Sequence, residues 1–205
     1  MEKFLTAPGD YKNLLAYKKA LCVFDGTIFF TRRFYKSGDR TIGQMEQAAR
    51  SGKQNIIEGN VDGATSTYSN IHLLNIALGS LEELMEDYID YLRINDLKRW
   101  SLEDYRCRQT RKVCAKHNEP EFYLNAFKTR SPETIANIMI VIIMQCITLT
   151  GRLLASRKRE FLTKGGKKES MYKARVIYRS HTQNVLHDSV EEPIIAYGDD
   201  DTLPE

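Results

Sequence analysis

The chain has 205 residues, of which 42% are hydrophobic and 28% charged. That suits one domain with an appendage and excludes a wholly disordered polymer. Its formal charge of +3 hides a sorting along the chain: residues 1–150 hold 20 Lys and Arg against 18 Asp and Glu, residues 151–179 hold 10 against 2, and residues 180–205 hold none against 7. A near-neutral body, a +8 block and a −7 tail point to binding of a polyanion or of a charged partner.

The elements follow in chain order. A first helix is predicted over about 10–36, after Pro8-Gly9-Asp10, with Leu14, Tyr17, Leu21, Phe24, Ile28 and Tyr35 at helical spacing. Gly26 weakens it by about 1 kcal/mol relative to Ala. Ser37-Gly38-Asp39 breaks the chain before a second helix at about 40–59, where Ala48, Ala49, Ser51 and Gly52 form a slim stretch suited to close packing. Gly79 and Ser80 offer a matching patch on the third helix, about 66–93. There Ile71, Leu74, Leu78, Leu81, Met85, Tyr88 and Leu92 alternate three and four apart as a packing seam.

The segment 94–130 is too long for a bundle turn and contains a polar helical candidate at about 101–116, opened by Ser101 and Asp104. Ser131-Pro132 starts a fourth long helix, about 133–157, apolar around most of its girth. Its greasiest run, 138–149, falls short of the roughly 20 residues that span a bilayer, so a buried helix is expected. Residues 158–186 read as a basic suffix with a short helix from about 169. Residues 187–205 read as a disordered acidic tail. Four cysteines make no dense disulfide framework, and the first residues carry no signal-peptide stretch, so a cytoplasmic protein is expected. The predicted class is all-α: an up-down four-helix bundle with an insertion between its third and fourth helices and a short basic helical suffix.

Gln44, Ser51, Asn55, Ile56, Glu58 and Gly59 on the second helix, with Asn75, Ala77, Gly79, Ser80, Leu81, Glu82 or Glu83, and Leu84 on the third, form a recognisable pair. In these positions the chain resembles the four-helix-bundle family first noticed in intervening sequences of 23S ribosomal RNA genes. That family includes the accessory variability determinant proteins of diversity-generating retroelements. Residues 161–179, with Gly165-Gly166 and Glu169, resemble the C-terminal suffix of a subset of these bundles. The long 94–130 insertion and the acidic tail depart from the usual pattern. The resemblance implies a homopentamer, nucleic-acid binding alongside a reverse transcriptase, and no established catalysis.

Two basic segments compete as the polyanion surface. Arg106, Arg108, Arg111 and Lys112 lie among Trp100 and Tyr105, whereas Arg157, Lys158, Arg159, Lys164, Lys167, Lys168, Lys173, Arg175 and Arg179 lie among Phe161, Tyr172 and Tyr178. Clustered cations suit phosphates, and aromatic rings can stack on unpaired bases, so RNA or single-stranded DNA is the expected ligand. A protein–protein scaffold that docks an acidic partner such as a polymerase or reverse transcriptase is the alternative. The acidic tail reads either as a solubilising end or, in the nucleic-acid reading, as a phosphate mimic in which Asp188, Glu191, Glu192 and Asp199-Asp200-Asp201 compete for the basic suffix. Asn55, Glu58, His72 and Asn75 are expected to form a structural polar network that sets helix register. Cys107, Cys114 and His117 do not match a usual zinc spacing, and Thr163–Lys168 departs from the phosphate-loop pattern at both ends. Neither a metal, a cofactor nor a catalytic set is expected.

Overall fold

The computed structural model describes residues 11–60, 67–164, 172–173 and 175–179. The chain divides into two compact units, Met1–Gly166 and Lys167–Glu205. All regular structure among the described residues is helical. In the first unit a 3-10 turn, Tyr11–Asn13, leads into α1 (Leu15–Phe34), α2 (Arg40–Glu58), α3 (Thr67–Ile94), α4 (Tyr105–Lys116), α5 (Pro120–Phe127) and α6 (Pro132–Lys164). In the second, residues 172–173 and 175–179 are helical.

The helix ends follow from local chemistry. Gly38, at φ 89°, makes the turn after α1, and the Asp39 carboxylate caps α2 by accepting from the Thr41 backbone N–H at 2.9 Å. Helix α3 stops where Asp96 takes φ 53° and the Leu97 N–H returns to the Leu92 carbonyl at 2.8 Å. Gly59 closes α2 for a packing reason. A Cβ there would stand 2.9 Å from both the Asn55 carbonyl and Leu74 Cγ.

Helix α1 packs against α2 and α6, and α3 packs against the same two, so these four helices surround one core. On α3 the predicted seam supplies Leu74, Leu81, Tyr88 and Leu92 as buried residues, joined by Ala77 and Leu84. On α1 the expected seam is displaced. Leu14, Tyr17, Leu21, Phe24, Ile28 and Tyr35 sit half-buried at the shoulders, while the core stripe is Ala16, Lys19, Ala20, Val23, Gly26, Thr27 and Phe30. Small residues let the backbone approach, and the large ones close over the sides. Gly26 belongs to that stripe because a Cβ would lie 2.6 Å from Met139 Sδ on α6. Close approach explains it, rather than tolerance of a weak spot. Likewise Gly52 meets Leu81 and Ala77 of α3, whereas Gly79 faces open space and forms no part of that contact.

Two further boundaries are corrected. The helix expected to stop at 157 runs unbroken to Lys164, since residues 157–164 hold no Gly or Pro and favour helix. The 94–130 segment holds two helices rather than one. Helix α4 packs on α6 and α5 packs on α1, and α5 buries Tyr123 and Phe127. By length and composition α6 is apolar enough to cross a membrane, yet Ile135, Ala136, Met139, Ile142, Ile143 and Cys146 are wholly buried in the core.

Candidate nucleic-acid interface

Helix α4 carries Arg106, Arg108, Arg111, Lys112 and Lys116 and no acidic residue. Cys107 and Cys114, two turns apart, are buried and turn that side of the helix inward. Tyr105, Arg108, Gln109, Arg111, Lys112 and Lys116 are consequently exposed.

Three anchors hold this helix. At its start, the Asp104 carboxylate caps the Arg106 N–H at 2.9 Å and pairs with the Arg106 guanidinium at 2.9 Å. The same guanidinium lies 5.0 Å from the Trp100 ring centroid and 4.0 Å from Glu133. The Arg106 bonds hold the Asp104 carboxyl below its usual range. Just upstream, the Asn137 side chain of α6 accepts from the Trp100 backbone N–H at 2.7 Å and donates to the Lys98 carbonyl at 2.9 Å. Midway, Gln145 donates to the Arg111 carbonyl at 2.9 Å.

The third anchor is Lys19, only 1% exposed. Its ammonium donates to the carbonyls of Cys114 at 2.6 Å and His117 at 2.8 Å. The Tyr123 hydroxyl also donates to the His117 carbonyl, at 2.7 Å. A cation thus meets the orphan carbonyls and the negative end of the α4 dipole. Burial lowers the Lys19 pKa. Burial also raises the thiol pKa values of Cys22 and Cys146 to about 12 and lifts that of Cys114, which suppresses the reactive thiolates.

The other expected binding residues divide. Arg157 is half-buried, donating to Asn60 at 3.0 Å and Glu160 at 3.0 Å, so it ties α6 to the end of α2. Lys158 and Arg159 are exposed on the same helix, and Lys173, Arg175 and Arg179 are exposed in the second unit. Lys164 ends α6, while Lys167 and Lys168 lie outside the described residues. Trp100 is 8% exposed and covered by Arg106, so it offers no open stacking surface, whereas Tyr105 is 67% exposed.

The expected polar network is a different set. Asn55 donates to the Ser51 carbonyl at 2.9 Å and to the Ser51 hydroxyl at 3.2 Å. Ser51 and Ser80 hydroxyls bond at 2.9 Å across α2 and α3. Glu58, His72 and Asn75 are exposed, and Asn75 bonds back to Ile71 of its own helix. Four residues apart on α2, Asn55 reaches Ser51, but His72 and Asn75 turn to the solvent side of α3. Among the described residues, no three His, Cys, Asp or Glu side chains gather in a group able to hold a metal ion. His117 instead stacks on Phe122 at 3.8 Å.

Ser51 and Ser80 stand out in the sequence as matching small residues, without the hydrogen bond they form; Lys19 and Asn137 do not stand out. The available signal was position. Lys19 falls on the stripe of Ala16, Ala20 and Val23, and Asn137 interrupts the apolar run of α6. No protein-family model, curated protein or solved structure matches the chain.

Proposed function

We propose that the chain is a non-catalytic, cytoplasmic accessory protein that binds RNA or single-stranded DNA as a homo-oligomer. Its first unit is read as an up-down four-helix bundle of α1, α2, α3 and α6, with α4 and α5 inserted before the last helix. The mutual packing of those four helices and the short connections after α1 and α2 support this arrangement. The observation that carries the functional reading is the exposed face of α4. Its cations carry no interleaved carboxylate and sit on a helix anchored at both ends. An anchored helix need not order its backbone when its cations meet phosphates, and those cations release counterions on doing so. The family resemblance adds the expectation of a pentamer and of a reverse transcriptase as partner. Five copies would multiply weak contacts into avidity.

The test is fluorescence anisotropy of a labelled single-stranded RNA between about 50 and 200 mM salt. Affinity should fall steeply with salt in the native chain. The triple variant Arg108→Glu, Arg111→Glu, Lys112→Glu should bind far more weakly. Retention of an acidic polypeptide without any binding of RNA or DNA would overturn this reading in favour of a scaffold. Light scattering on nuclease-treated protein gives the subunit number.

A further inference from the structure

Beside α4 the first unit holds a cavity of about 430 Å³. Arg99, Trp100, Ser101, Leu102, Ile140 and Met144 are among its walls, and Cys107 of α4 is another. The cavity and the cationic face therefore share one helix. Its size and mainly apolar lining with a few polar groups are those of a small-molecule site. Trp100, 8% exposed, contributes an aromatic wall rather than an open stacking face, and its buried Nε1–H is closed off from the cavity. Arg99 and Ser101, both exposed, bring the donors, while the Asn137 side chain is already committed to Trp100, Lys98 and Glu133. Such a set matches a flat, acceptor-bearing heteroaromatic ring. A nucleobase is such a ring, and in a single strand it is free to leave its neighbours.

We infer that this cavity receives one unstacked base of the strand held by the cationic face of α4, making unpaired nucleic acid the ligand in preference to duplex. The inference rests on the nucleic-acid reading above and adds what that reading lacks: a reason for the site to prefer a strand with free bases. Phosphates meet Arg108, Arg111, Lys112 and Lys116 on the outside. The base fills a space that the fold leaves unfilled.

Trp100 is the single tryptophan of the chain, so emission comes from a wall of this cavity, and the abasic strand separates base entry from any effect on the Arg106 contact. The native protein is titrated with a labelled single-stranded oligonucleotide while anisotropy and tryptophan emission are both followed. Both signals should move along one curve. An abasic strand of the same length should bind about tenfold more weakly and leave emission unchanged. The same sequence as duplex should also leave emission unchanged. Met144→Phe, which fills the cavity, should lose the emission response and bind about tenfold more weakly, yet keep its salt dependence. If that variant does not fold by circular dichroism, the abasic comparison on the native chain decides. An anisotropy change with constant emission, or equal binding of the abasic strand, overturns the base cavity and leaves the cationic face standing. Absence of binding to any strand overturns both.

Discussion

The Lys19 ammonium on α1 donates to the carbonyl oxygen of Cys114, 95 positions later, across 2.6 Å. One buried side chain on the first helix thereby closes the end of the helix that carries the exposed cations. Lys19→Met keeps the stem but leaves the Cys114 carbonyl without its charged donor. The loss expected is about 2 kcal/mol, the range for a hydrogen bond to a charged group. Urea unfolding measures it, and hydrogen exchange should show the last turn of α4 opening before the core of α3. Uniform exchange with unchanged stability would mean that Lys19 does not anchor α4.

Asp87 predicts a pH effect. Burial, with Glu83 and Asp90 adding like charge, raises its pKa to about 6. It shares a cleft with Tyr35, Lys36 and Thr41 from the α1–α2 end, with Asp39 capping α2, and with Asp90 and Tyr91 on α3. The folded chain keeps a proton that the unfolded chain releases near 3.8. Its contribution to stability is therefore complete below that value and is lost as pH rises through about 6. At pH 7, Asp87→Asn should stabilise the fold by on the order of 1 kcal/mol, after discounting for the solvent that reaches this half-exposed carboxylate. Near pH 4 the gain should shrink toward nothing. An equal gain at both pH values would show that the charge is not its cause.

Two glycines should respond in opposite directions to alanine. Gly59→Ala forces a Cβ against backbone and a branched Leu74, and overpacking of this kind costs about 1–3 kcal/mol. Gly79→Ala meets nothing within 4 Å in mid-helix and should stabilise by about 1 kcal/mol. Thermal melts distinguish them. A drop in subunit number for Gly79→Ala would instead place the outer side of α3 at a contact between copies.

Arg106 and Arg108 stand two residues apart with different duties. Both are exposed, but Arg106 is engaged by Asp104 and Trp100, with Glu133 nearby, whereas Arg108 has no such partners among the described residues. Arg108→Ala should lower the salt slope of RNA binding by about one and leave the melting temperature unchanged. Arg106→Ala should do the reverse, lowering the melting temperature slightly with little change in slope. Equal slopes in both variants would remove Arg108 from the interface.

Much of the architecture was legible because burial of one helix side repeats every three to four residues, as at Leu74, Leu81 and Tyr88. The core side of α1 was not, because its inward residues are small and its large ones cover the shoulders. Helix α5 was invisible for another reason. Eight residues carry too little periodicity, and Tyr123 and Phe127 gain their purpose only against α1. The cations of α4 stand out in composition, whereas Cys107 and Cys114, which orient them, show in the sequence only a spacing that fits no usual zinc site. Lys19 escaped because a charge in an apolar stripe reads as a solvated surface group until three acceptors meet it. Trp100 read as a stacking platform, and only the packing of Arg106 removes it from that role.

The unbroken course of α6 makes its last turns a rigid lever. From the Arg157–Asn60 bond at 3.0 Å to Lys164, the backbone advances about 10 Å in fixed register. One residue inserted after Arg157 would swing Lys158 and Arg159 by about 100° around the axis, whereas the same insertion in a loose tether would change only its length. The azimuth of those two charges is therefore an inherited property of the helix, set where α2 ends.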